Sequence, residues 1–147
     1  MSRLVAVAVL VAVMTACSSS HASAPSPITL NGPTANHGTV SVTGTSVTIE
    51  VSDFYFKPTF IKTTPGTVVT LHITNTGTVP HTFTSEGLGT NKIVSPGETV
   101  DLDVTMPKRG ATEFHCRFHQ QSNGMQGAFF FNDGDVIASG SPASASG

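Results

Sequence analysis

Apolar and polar residues alternate along three stretches of the chain. Val47, Ile49 and Val51 are interleaved with Thr48, Glu50 and Ser52; Val69, Leu71 and Ile73 with Thr70, His72 and Thr74; Val100, Leu102 and Val104 with Asp101 and Asp103. A repeat of two sends successive side chains to opposite faces of a strand, so each stretch predicts a strand with one buried face. Turn-forming residues separate such runs, at Thr64 to Gly66, Asn75 to Gly77, Ser95 to Gly97 and Met106 to Gly110. No stretch sustains a helical period. Short strands divided by Gly and Pro turns, within about a hundred residues, predict an all-β fold: a Greek-key β-sandwich with antiparallel strands. Its core is expected from the alternating Val, Ile and Leu, with Phe54, Phe56, Phe60, Phe83 and one face of a last strand at Ala128 to Phe131. A sandwich of this kind implies no function by itself.

The two ends differ in composition from this middle. Met1 to Arg3 opens with a positive charge, and Leu4 to Met14 is apolar, the layout of a signal peptide and too short for a permanent transmembrane helix. The run closes on Met14-Thr15-Ala16-Cys17, which resembles the lipobox of bacterial lipoproteins. That resemblance implies a signal peptide at 1–16, lipid on Cys17 and anchorage at the outer face of the cytoplasmic membrane, in the cell envelope. Cleavage nearby as a plain secretory signal is the alternative. Residues 17–38 are rich in Ser, Ala, Pro, Gly and Asn and read as a flexible tether, and 138–147 as a disordered tail. One domain is expected at 39–137.

A formal net charge of −2 and the lack of a basic stripe exclude nucleic-acid binding as a leading function. The chain has two cysteines, Cys17 and Cys116. With lipid on the first, the second has no disulfide partner, and a lone thiol outside the cytoplasm needs burial or a metal to protect it. Cys116 lies in Phe114-His115-Cys116-Arg117-Phe118-His119, followed by Met125. A sandwich gathers distant loops at one end, and His81, after a turn and before the apolar Phe83, is the natural fourth donor. Two imidazoles, a thiolate and a thioether are the ligand set of a blue-copper electron-transfer site.

The chain from about Val47 to Asn132 resembles the cupredoxins, in their plastocyanin-like group. The resemblance rests on Phe54 to Phe83, with its early aromatic strand and its His, and on Phe114 to Phe131, with Cys, two residues, His, then Met-x-Gly before the last strand. It implies one type 1 copper ion with His81, Cys116 and His119 equatorial and Met125 axial. The His-to-Met gap holds Gln120 to Gly124, one residue more than plastocyanin-like loops, which leaves Gln120 or Gln121 as an alternative axial donor. A monomer passing single electrons between redox proteins outside the membrane is the first function expected, with His119 as the exit. Copper storage, delivery or sensing, with a copper-handling partner, is the second, favoured by the polar ligand loop.

Blander readings exist for each residue. Cys116 could be a buried thiol, His81 a turn histidine and Met125 ordinary core. His72 is expected on a solvated strand face and His115 on the face opposite Cys116. His21 and His37 fall in the expected tether, and Phe118 could shield the site. Thr82 and Asn75 are expected to tie the His81 loop to the Cys116 loop. Nucleophilic catalysis by Cys116 and His119 lacks an orienting third group, and a zinc hydrolase on His81, Cys116 and His119 is the remaining enzymatic option. An adhesive sandwich without metal completes the set. The chain is read as a non-enzyme.

Overall fold

The computed structural model describes residues 24–138. Cys17, the signal peptide, His21 and the tail after 138 lie outside the described residues. Twelve strands run β1 (Ile28–Leu30), β2 (Thr39–Ser41), β3 (Ser46–Ser52), β4 (Tyr55–Lys57), β5 (Phe60–Lys62), β6 (Val68–Asn75), β7 (His81–Ser85), β8 (Thr90–Val94), β9 (Thr99–Thr105), β10 (Thr112–His115), β11 (Gln126–Phe130) and β12 (Val136–Ala138), with one helical turn, α1 (Gln120–Asn123), before β11. A six-stranded sheet, β2-β5-β11-β10-β7-β8, and a four-stranded sheet, β4-β3-β6-β9, form the sandwich, and β1 and β12 pair separately.

The alternation seen in the sequence becomes the core. Val47, Ile49 and Val51 of β3 and Val69, Leu71 and Ile73 of β6 are buried, while Val100 and Leu102 of β9 pack against them partly covered. Each fully buried aliphatic side chain contributes about 1.5–3 kcal/mol. From the other sheet come Phe83, Phe114 and Phe129, and the Phe114 ring lies 5.2 Å from that of Phe56 and 5.1 Å from those of Phe83 and Phe129. The opposite face of the four-stranded sheet is polar. There His72 meets Asp101 at 2.7 Å and Thr70 bonds Asp103 at 2.6 Å across the β6–β9 pair, so His72 is the solvated strand residue its pattern implied.

Gly127 is required where β5, β10 and β11 meet. A Cβ there would strike the Thr59 carbonyl oxygen and lie 2.5 Å from the tip of the Phe114 ring. Gly127→Ala must therefore displace either the β5 backbone or the aromatic cluster. A loss of about 1–3 kcal/mol or more in chemical denaturation is expected; an unchanged midpoint would show that this junction yields freely.

Two expectations need correction. The sheets are mixed: β3 runs parallel to β6, and β5 parallel to both β2 and β11. After β3 the chain crosses through β4 and β5 before returning as β6, and such a crossover aligns strands in the same direction. The tether is shorter than 17–38, because residues 28–38 pack on the domain. β1 pairs with β12, and Leu30 is buried with Phe60 and Ala128 on the outer side of the six-stranded sheet. Phe60 thus serves this satellite cluster instead of the main core. His37 stacks on Tyr55 at 3.8 Å, and its amide donates to Thr59 Oγ1. The segment has no strand period because backbone hydrogen bonds and a few isolated apolar residues hold it down.

Candidate metal centre

Topology brings the donors to one end. β7 begins at His81 and runs antiparallel to β10, which ends just before Cys116, while β11 begins after Met125 antiparallel to β10. At the same end, the parallel pair β3 and β6 finish at Ser52 and Asn75, so the turns that follow them lie side by side. His81, Cys116 and Met125 are fully buried, whereas His119 is partly exposed.

His81 Nδ1 and His119 Nδ1 are 3.2 Å apart, and Cys116 Sγ lies 3.5 Å from His119 Nδ1 and 3.8 Å from His81 Nδ1. The corners of that triangle are all about 2 Å from one point in its plane, the length of a bond between a first-row metal ion and imidazole nitrogen. Soft thiolate with two imidazoles is a copper donor set. The residues present therefore fit a type 1 copper ion.

The ligand loop is built to stay put. His119 N and Gln120 N both donate to the Cys116 carbonyl, Asn123 N donates to His119 O, and Gly124 closes the turn in the left-handed conformation at φ 67°. The extra residue between His119 and Met125 is thus taken up in a helical turn. A Cβ on Gly124 would sit 2.5 Å from the Pro33 carbonyl oxygen, so the N-terminal segment lies directly on this loop. Gln126 Nε2 donates to the carbonyls of Asn31 and Pro33, and Ala35 N to Gly124 O. Cys116 N donates to Met125 O and Met125 N to His119 O, which fixes Met125 beside both other residues of the loop. Gln120 donates its side-chain amide to Gln126, Gln121 is exposed, and Met125 is fully buried.

Thr82 does tie the two loops together. Its amide donates to Cys116 Sγ at 3.4 Å, and its hydroxyl accepts from Arg117 N at 2.9 Å. Asn75 acts elsewhere: its side chain donates to Val79 O and Val94 O and accepts from Gly77 N, bracing the His81 turn against β8 instead of against Cys116. Thr82→Ala keeps the amide bond to sulfur and leaves Arg117 N unpaired. We expect copper retained, stability lower by about 1 kcal/mol, and a shifted absorption maximum or potential; complete loss of copper would contradict this role.

Two further residues shape the site, and one of them, Asp53, has no local sequence signal. Asp53, just after β3, approaches His81 Nε2 at 2.9 Å and accepts from the Thr78 hydroxyl at 2.6 Å and the Thr78 amide at 2.8 Å. The Thr78 hydroxyl, then its amide, then His81 hold the Asp53 carboxyl far below the usual carboxylate range. The anion fixes the proton of His81 on Nε2 and leaves Nδ1 free for a metal. Gly77 permits this approach, since a Cβ there would collide with the Asp53 carboxylate. Phe54 places its ring 4.5 Å from that of His119 and 6.0 Å from that of His81, covering the donors. Phe118, expected to shield the site, is instead 52% exposed. Burial, then the neighbouring His81, lowers the pKa of His119 while Asp53 acts in the opposite sense, keeping an imidazole lone pair available near neutral pH.

No curated protein matches the chain significantly. Among solved structures it is similar to reduced auracyanin from the photosynthetic bacterium Roseiflexus castenholzii (16% identity, 60% of this chain and 98% of that one, TM-score 0.52). It is similar too to a blue copper oxidase from Nitrosomonas europaea (19%, 67% and 40%, TM-score 0.51) and to a chain of a heme-copper terminal oxidase dimer (21%, 74% and 78%, TM-score 0.53). These likenesses concern the fold. A profile described as "Cupredoxin-like domain" matches residues 6–129. With that match over most of its length, and with this donor set at one end of its sandwich, the chain belongs to the cupredoxin-like family, and its cofactor is a single copper ion in a type 1 site.

Proposed function

We propose that the protein is a one-electron carrier, anchored by lipid on Cys17 at the outer face of the cytoplasmic membrane, with His81, Cys116 and His119 as equatorial ligands and Met125 as axial ligand. The observation that carries the reading is the preformed triangle of two Nδ1 atoms and one Sγ. Copper, when bound, supplies exchange of a single electron between its two oxidation states. The residues around it keep that exchange fast by not moving. The hydrogen-bonded turn of α1 holds His119, the Asp53 carboxylate holds His81, and the Thr82 amide holds the sulfur. Phe54 and the buried positions of His81, Cys116 and Met125 exclude water.

His119 is the one donor of the three that reaches the surface, and it is the exit we assign to the electron. Arg117 and Phe118, both exposed and 5.9 Å apart as a cation–π pair, lie beside it and would form part of a redox partner's docking face. The test is a visible spectrum of the full chain after one equivalent of Cu(II), followed by repeated reduction and reoxidation. An intense band that bleaches and returns without loss of metal supports the carrier. A colourless protein would overturn the copper site, and a band that disappears because copper leaves on reduction would favour delivery over electron transfer.

A further inference from the structure

A second group of metal-type donors lies on the outer face of the six-stranded sheet. Oxygens of Glu86 and Glu113 and a ring nitrogen of His115 fall within 4.8 Å of one another. The pairing of β7 with β10 explains why. His115 lies opposite Thr84 in an antiparallel pair, which puts Glu113 opposite Glu86, and Glu113 and His115, two apart, share a face. Gly87 lets the turn after β7 close down on β10, because a Cβ there would overlap the Thr112 hydroxyl.

That arrangement is unfavourable as it stands. Carboxylates directly opposite each other on neighbouring strands repel. Among the described residues, ion pairs join Lys62 to Asp133, His72 to Asp101 and His81 to Asp53, so neither glutamate has a basic partner. His115 is only 9% exposed, and its buried Nδ1 has no hydrogen-bond partner. Buried polar atoms left unpaired are uncommon and call for a reason. One bound cation would offset the two carboxylate charges and take a lone pair from the His115 ring, which makes no side-chain hydrogen bond of its own.

We propose that Glu86, Glu113 and His115 form a second metal site, for a divalent ion of the zinc class. One imidazole with two carboxylates and no thiolate suits zinc and its divalent neighbours and does not suit Cu(I). The site is separate from the copper centre: His115 is next to Cys116 in sequence, but Cys116 belongs to the main core while His115 faces outward with Glu113. An ion here links the start of the β7–β8 turn to β10, the strand that delivers Cys116.

The test is a calorimetric titration of the full chain with Zn2+ after its copper site has been filled with one equivalent of Cu(II), with the visible band followed throughout. One further equivalent of Zn2+ is expected with the band retained, and its affinity should fall at least about tenfold in Glu113→Gln and in His115→Asn. Glu86→Gln lies on an exposed turn where the fold is insensitive to it, and it should weaken Zn2+ in the same way. Uptake of no Zn2+ beyond the copper equivalent, or Zn2+ uptake unchanged in Glu86→Gln, would overturn the site.

Discussion

Cys116→Ser is expected to fold, and to stay colourless when Cu(II) is added. The sulfur is fully buried, and besides the two ligand imidazoles it meets the Thr82 amide at 3.4 Å. A serine hydroxyl is of similar size and can accept from the same N–H, so the fold should lose no more than about 1–2 kcal/mol. The metal site loses much more. A hydroxyl is a hard donor that does not ionise near neutral pH, and without the thiolate the two imidazoles and a thioether no longer make a copper-selective set. Visible absorption together with a thermal melt reads both effects. If the melt is preserved and the band is gone, the thiolate is the source of the colour. A band that survives would assign the site to other residues, and a chain that fails to fold would show that Cys116 serves packing first.

The parts of this architecture that were legible in the sequence are those set by local pattern. The buried residues of β3 and β6 follow from a period of two that needs no knowledge of neighbouring strands, and Cys116, His119 and Met125 fall within one short loop whose chemistry is plain from residue types. His81 was accessible because it follows a turn and opens a strand. What was not legible depends on pairing over long separations. The three-residue strands β4 and β5 are too short to display a period, yet they carry the crossover that makes β3 and β6 parallel. That parallel pairing alone sets Asp53 beside Thr78 and His81, 28 residues from its ligand partner. The N-terminal segment failed as a tether for a related reason: Gln126 and Gly124 hold it through main-chain carbonyls, and main-chain acceptors leave no mark on composition. The length of the ligand loop shows in the sequence but its conformation does not: Gly124 makes it a closed helical turn against Pro33.

Asp53→Asn follows from the one feature of the centre that local reading did not supply, and it should raise the reduction potential. A carboxylate 2.9 Å from His81 Nε2 makes the imidazole a stronger donor and places a negative charge near the metal, and both effects favour Cu(II) over Cu(I). Asparagine keeps the shape and one acceptor oxygen but removes the charge. Loss of such a partner typically costs about 10–100-fold in metal affinity. If about one factor of ten falls on Cu(II) alone, the potential rises by about 59 mV, and the sign is positive because the oxidised state loses more than the reduced state. The Thr78 hydroxyl gives an internal control, since it is the largest influence holding Asp53 ionised. Thr78→Val should leave the anion in place at neutral pH, with a smaller rise, and should bring the protonation of Asp53 closer to the ordinary carboxylate range. A pH titration of the potential then separates the two roles: as pH falls, the potential of Thr78→Val should begin to rise toward the Asp53→Asn value at a higher pH than that of the wild type. A potential that is unchanged or lower in Asp53→Asn would show that the carboxylate only orients the His81 ring, a role asparagine can fill.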